Sequence, residues 1–339
     1  MTGHHPVTAE SETETETDTN TIPMFPALSR MERRPELQPR RYDREPYWRA
    51  PITPPSRECY VPHWNWHNRT GVPETEQLLT LDANGAYLSA LGGIKVGHSQ
   101  LSHHGGTEVI TAPRDVMPGY YQISIPHWAF DGTIVHPLGD SSRLETETAV
   151  WVAHPTLVLL LELQEEGVLG EFMVLDAWIA RAACDFRKWT AHLKQVRTEL
   201  LDSLELAQTD AARAAMGEMY TAFKEGYSAA LSMMLTGEKC KTQRPDWAHA
   251  VYAQHAASMW RKAWRWTGAG RPLISMGHTD ELTVIADDLP EMMSRAKPPF
   301  RFDPSGRTLG AMKPKTVEAG TREPLQGDSL PTLDEGDVL

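Results

Sequence analysis

The chain is 339 residues long, 40% hydrophobic and 23% charged, enough to bury a substantial core in one large domain or two small ones, and no run approaches the roughly 20 apolar residues that a membrane-spanning helix needs. A formal net charge of -12 speaks against a nucleic-acid partner without vetoing one, because phosphate binding is driven by Lys and Arg releasing counterions. The ends carry most of that charge: residues 1–39 hold seven acids and three bases, and 323–339 hold five acids and no base, which leaves about -3 in between. Glu, Thr and Asp stand at the N-terminus where a signal peptide is basic and then apolar, so the expected location is cytoplasmic. Cys59, Cys184 and Cys240 are far apart and lack CxxC spacing, which speaks against a disulfide framework and against a thiolate zinc site.

In chain order, residues 10–21 (ESETETETDTNT) have almost no apolar side chains and read as a solvated tail. From Pro23 to Pro62 the chain is rich in Pro and Arg, with Tyr42, Tyr47 and Trp48 among the bases, an arm that could follow a nucleic-acid backbone or wrap the protein's own surface. His63 and His67 stand four apart, a metal-ligand spacing only if helical; alternating Trp64 and Trp66 beside Pro62 favour an extended segment. Gln77–Asp82 (QLLTLD) is a short apolar run that delivers Asp82 to a strand end. Further strands are expected at Gly119–Pro126 and Phe172–Ile179, with a helix between them from His154 to Glu166 that Gly167 stops. Three more helices follow at about Cys184–Leu206, Ala211–Thr236 and Pro245–Trp266. Pro272–Asp287 (PLISMGHTDELTVIAD) reads as a hairpin whose polar tip presents His278, Thr279, Asp280 and Glu281. From Glu318 the chain turns acidic and rich in Pro and Gly, a second tail. Strands, then a helical insert, then a hairpin predict an α+β fold with an antiparallel sheet.

One carboxylate at a strand end and another at a distant hairpin tip form the pair a two-metal site needs: the ions activate an attacking hydroxyl and stabilise a leaving pyrophosphate. The wording around both acids is specific. LDANGAYLS (81–89) resembles the first palm motif of family-B DNA polymerases, an Asp, two residues, then Ser-Leu-Tyr-Pro-Ser: Asp82, Tyr87 and Ser89 match, while Gly85, Ala86 and Leu88 depart. MGHTDEL (276–282) is similar to that family's Tyr-Gly-Asp-Thr-Asp-Ser hairpin, where Gly277, Thr279 and Asp280 match and His278 and Glu281 depart. FKEGYSAALS (223–232) resembles the fingers helix, with Lys224 kept, Ser228 in place of Asn and Leu231 in place of Tyr. Arg197, on the preceding helix, suits the family's fingers Arg, and Leu309–Glu318 (LGAMKPKTVE) resembles its basic duplex-gripping stretch.

The resemblance spans residues 75–320 in the family's order and implies a layout. Residues 1–39 are a disordered tail, 40–75 a Pro/Arg-rich arm, 76–183 and 241–317 the two parts of a palm, 184–240 the helical fingers, and 318–339 a disordered acidic tail. It implies Mg²⁺ (or Mn²⁺) on Asp82 and Asp280, a deoxynucleoside triphosphate held by Arg197, Lys224 and Ser228, Tyr87 stacking on the sugar, and DNA along Lys313 and Lys315. The small size resembles the protein-primed branch, so a terminal or priming protein is a further expected partner. No acidic exonuclease motifs are present, and there is little chain for a thumb. The leading expectation is a DNA-directed DNA polymerase-like nucleotidyltransferase. The alternatives are an inactive polymerase-like module that binds DNA or a partner, and another Mg²⁺-dependent phosphotransferase or nuclease.

Overall fold

The computed structural model describes residues 53–68, 76–105, 110, 112–130, 132–139, 143–236, 243–277 and 279–319. The expected tail 1–39, most of the arm, His278, and the acidic tail from 320 onward lie outside the described residues. The elements are α1 (Pro54–Glu58), β1 (Cys59–Tyr60), β2 (Trp66–His67), β3 (Gln77–Ala83), α2 (Ala86–Gly93), β4 (Lys95–Gly97), β5 (Leu101–Gly105), β6 (Gly119–Ser124), α3 (Arg143–Thr146), β7 (Ala149–Ala153), α4 (His154–Glu165), β8 (Val174–Ala180), β9 (Ala183–Asp185), α5 (Arg187–Glu205), α6 (Asp210–Thr236), α7 (Pro245–Gly268), β10 (Leu273–Gly277), β11 (Glu281–Ile285), α8 (Asp288–Ser294) and β12 (Met312–Ala319). This is a mixed α+β architecture. Among the described residues no helix is long and apolar enough to cross a membrane.

Two five-stranded sheets carry the body, in the orders β1-β7-β6-β8-β5 and β12-β3-β11-β10-β2, and β4 pairs β9 separately. All pairings are antiparallel except β1 with β7. The second sheet positions the candidate site. Period-two alternation turns Leu79, Leu81 and Ala83 of β3 into the main core with Leu282 and Val284 of β11. On the other face Leu78 packs with Ile274 and Ile285, and Thr80, Thr283 and Ser275 form a line of hydroxyl contacts at 3.1 and 2.8 Å. That face ends at Asp82, which sits opposite Glu281 on one side and Lys313 on the other.

Helix α7 joins two cores. Its first half (Trp247, Val251) packs with α2, α5 and α6 through Leu88, Leu91, Trp189, Leu193, Phe223 and Leu231. Its second half (Ala256, Trp260, Trp266) packs with α4 and both sheets. The helix is buried nearly all round, as befits its place in the middle of the protein, and the alanines at 248, 250, 253, 256, 257 and 263 let its neighbours approach closely.

The expected arm is in part sheet. Tyr60, Trp64 and Trp66 are buried, so residues 53–68 are drawn into the core as α1 and as one strand in each sheet rather than left as a free arm. The segment HWNWH is extended, as the alternating tryptophans predict, so His63 and His67 have no helix to bring them together. The helix expected from Cys184 begins at Arg187 instead, because Ala183–Asp185 pair with β4.

Candidate active site

Asp82 reaches the site from the end of β3 and Asp280 from the turn between β10 and β11, 198 positions on in sequence. The turn is pinned to the strand: the Ala83 amide donates to the Asp280 carbonyl at 2.9 Å. The two side chains lie close enough to hydrogen-bond, and the Asp280 carboxyl is pushed up to about 7, first by burial, then by the Asp82 charge, then by the hydrogen bond it shares with Asp82 and by Glu281 beyond; Lys315 opposes. A carboxyl raised by burial and by a second carboxylate beside it marks a place where a cation would be stabilised. Hard oxygen donors of this kind suit Mg²⁺ or Mn²⁺, which are commonly held by one or two carboxylates with water and phosphate oxygens completing the shell. Among the described residues no group of three or more His, Cys, Asp or Glu forms a protein-only cage.

This shift fixes a pH dependence. The folded pKa of Asp280 stands above the ordinary carboxylate value of about 3.9, so its contribution to stability is full below that value and is lost as pH rises through about 7. In metal-free buffer the melting temperature should therefore fall by about 3 °C or more between about pH 5 and about pH 8. Millimolar Mg²⁺ or Mn²⁺ should restore it at the higher pH, because a cation that binds only the folded site stabilises it. Differential scanning fluorimetry checks both arms, and a melting temperature at high pH indifferent to either cation would contradict the assignment.

Thr279, which precedes Asp280, has φ of +63°, a left-handed conformation that strains a β-branched residue. Two groups hold it there. His255 of α7 donates from Nε2 to the Thr279 carbonyl at 3.1 Å, and Tyr87 is hydrogen-bonded to the Thr279 side chain. The His255 ring stays neutral, its pKa pulled down to about 4, mainly by burial and by Lys262. Tyr87 packs edge-on against Tyr252 and His255 at 5.1 and 5.5 Å between ring centres, and burial raises its phenol above the ordinary value. Helix α2, which carries Tyr87, starts at Gly85 with φ of +55°, where an added Cβ would come within 2.5 Å of Leu309. Glycine at position 85 thus answers a local conformational demand, the left-handed φ.

The remaining sequence-predicted residues fall into three groups. Lys313 and Lys315 stand on β12 against the acids, Lys313 Nζ 3.1 Å from Asp82 and Lys315 on Glu281. Lys224 and Ser228 are exposed on α6, one turn apart, and are not brought into contact with the carboxylates. Lys224 does share a helical stripe with Tyr220 and Tyr227, and Tyr227 is close enough to Tyr220, Arg197 and Tyr87 to feel their charges, while burial pushes its phenol up to about 12.

Arg197, expected on a triphosphate, is 3% exposed and spends its guanidinium on protein acceptors: the Arg307 carbonyl at 2.8 Å, Asn84 Oδ1 at 2.9 Å and the Gly306 carbonyl at 2.6 Å. Asn84 in turn donates to Gly306 and Thr308 at 2.5 and 2.8 Å. Sequence reasoning missed Asn84, Tyr220, Tyr227, Tyr252 and His255. The aromatics had a signal in their helical spacing, i and i+7 on α6 and i and i+3 between Tyr252 and His255 on α7.

Solved structures match the chain in fold, among them two of the same kind. Phi29 DNA polymerase bound to primer-template DNA has a TM-score of 0.50 at 12% identity, covering 78% of this chain and 46% of that one. Phi29 DNA polymerase with primer-template DNA and incoming nucleotide substrates has a TM-score of 0.50 at 13% identity, covering 78% and 47%. The chain therefore spans about half the length of the solved structures it matches. No protein-family model and no curated protein matches the sequence. At this identity the likeness is one of fold, and in fold the chain is polymerase-like.

Proposed function

We propose that the chain is a DNA polymerase-like nucleotidyltransferase that joins deoxynucleotides to a hydroxyl on a primer. The observation that carries this reading is the convergence of Asp82 and Asp280 from two elements of one sheet into hydrogen-bond contact, flanked by Lys313, on a polymerase-like fold. When bound, Mg²⁺ or Mn²⁺ supplies acidity to the attacking hydroxyl and charge stabilisation to the leaving pyrophosphate. The chain's own groups do the rest. Asp82 and Asp280 hold the cation, Lys224 reaches the triphosphate from α6 with Ser228 one turn on, and Tyr87 forms the floor under the sugar and excludes a 2′-hydroxyl. Lys313, paired with Asp82, and Lys315, paired with Glu281, would be the cations on β12 available to the DNA backbone when the carboxylates hold a metal ion instead. The primer hydroxyl belongs to DNA or to a side chain of a priming protein.

Incorporation of a labelled deoxynucleotide, with Mg²⁺ or Mn²⁺, onto a primed DNA template and separately onto protein tests this directly. Metal-dependent incorporation supports the reading; none on either acceptor, from folded protein that still binds DNA, sinks it. In that case the second reading applies, a non-catalytic polymerase-like module, which the engagement of Arg197 by protein acceptors favours. Tyr87→Val should raise the use of ribonucleotides relative to deoxynucleotides by about 10-fold or more, since a missing steric contact of this size is worth one to three kcal/mol. Competition between the two nucleotide types in the same assay reads it out, and an unchanged ratio would remove Tyr87 from the sugar pocket.

A further inference from the structure

Between α2 and α7, behind the strand that carries Asp82, lies a cavity of about 110 Å³. It exists because the two helices offer mismatched faces. Helix α2 turns Ala86, Ser89, Ala90 and Gly93 toward it, positions i, i+3, i+4 and i+7 with little side-chain volume, and α7 faces them with Gln254, Ser258 and Lys262 at i, i+4 and i+8. A void lined by apolar atoms stays dry, whereas this one has polar groups on both walls and room for several waters or one five-atom oxyanion.

Lys262 distinguishes the cavity from a packing gap. The residue is 8% exposed, and its ammonium donates to Ser258 Oγ at 3.2 Å with Met259 Sδ at 3.7 Å. No carboxylate among the described residues pairs with it. Its charged neighbours repel it: after burial, the largest influence, Arg265 also lowers its pKa, to about 8, and at near-neutral pH the amine is still mostly protonated. A buried ammonium without a counter-charge is costly, and buried charges in folded proteins are normally paired. The Asp82 carboxylate does not fill that role, since it is paired with Lys313 at 3.1 Å.

We propose that this cavity binds a small oxyanion of the phosphate class, with Lys262 as the counter-charge and the Ser89 and Ser258 hydroxyls and the Gln254 amide as hydrogen-bond donors. The site lies behind the carboxylate pair, is too small for a nucleoside, and does not depend on the polymerase reading.

The test is thermal melting of the full chain at neutral pH, in chelator, with inorganic phosphate titrated to about 20 mM against chloride of equal ionic strength. A site saturated well above its dissociation constant raises the wild-type midpoint by several degrees. Lys262→Met abolishes that rise, while the Lys313→Met/Lys315→Met variant, altered only at the cations of β12, keeps it. No rise in the wild type over chloride, or an equal rise in Lys262→Met, overturns the proposal. Should Lys262→Met fail to fold, acetylation of wild-type protein read by mass spectrometry decides instead. Phosphate should slow modification of Lys262 about 5-fold or more relative to Lys313, and equal slowing at both lysines overturns it.

Discussion

Replacing Asp280 with Asn should reduce metal-dependent nucleotide incorporation by about 10³-fold and at the same time raise the melting temperature of the metal-free protein. The two effects have one cause. Asp280 is held in a partly buried position beside Asp82, where its carboxyl is pushed up to about 7, and that repulsion is unfavourable to the folded state above neutral pH. The neutral amide removes the repulsion and keeps the shape, so the protein gains stability while it loses the charge that would hold a cation. A residue kept at a cost to stability is a common mark of a working site. Incorporation assays and scanning fluorimetry on one preparation check the pair of outcomes. Loss of activity with loss of stability would make Asp280 a structural acid, and unchanged activity would remove it from the chemistry.

The site was legible in the sequence where local signals and chemistry coincide. QLLTLD and PLISMGHTDELTVIAD announce a buried strand and a hairpin because apolar, β-rich runs border a polar end, and the structure pairs them in register, Glu281 opposite Asp82. The long helices α4, α6 and α7 follow their 3.6-residue pattern within a few residues of the expected bounds.

What could not be read has physical reasons. Helix α2 is eight residues with two glycines at its end, too short to show a period. Strand β12 contains Pro314 and two lysines and shifts register between Pro314 and Thr316, features that proteins place on sheet edges and that hide a strand from pattern reading. Strand β7 ends at Ala153 and helix α4 begins at His154 with no turn between them, so AVWVA has no breaker of its own to mark it off as a strand.

The role of Arg197 was the least accessible, because its acceptors are more than 100 positions away: Asn84 before it, and Gly306 and Arg307 after it. A basic residue on a helix in a polymerase-like order suggests a phosphate, and nothing local in FRKWTAHLKQVRTEL reveals a backbone loop folded over it.

That reassignment makes a sharp prediction. Arg197 fastens α5 to the residue two after Asp82 and to the loop that leads into β12, so it sets the spacing between the helical part and the carboxylate strand. Arg197→Met leaves Asn84 Oδ1 and the Gly306 and Arg307 carbonyls short of their donors in a buried place, which should cost about 3 kcal/mol and lower the melting temperature by about 8 °C. Arg197→Lys should recover little of this, because one ammonium cannot supply two planar arms to acceptors on different segments. The nearby pairs of Arg307 with Asp202 and Glu205 are exposed and will not compensate, since surface pairs contribute at most about 1 kcal/mol. A triphosphate-binding Arg197 would behave in the opposite way, with stability unchanged and the nucleotide KM raised about 10-fold or more. Urea unfolding and the nucleotide KM of the two variants separate a strut between α5 and the Asp82 strand from a nucleotide ligand.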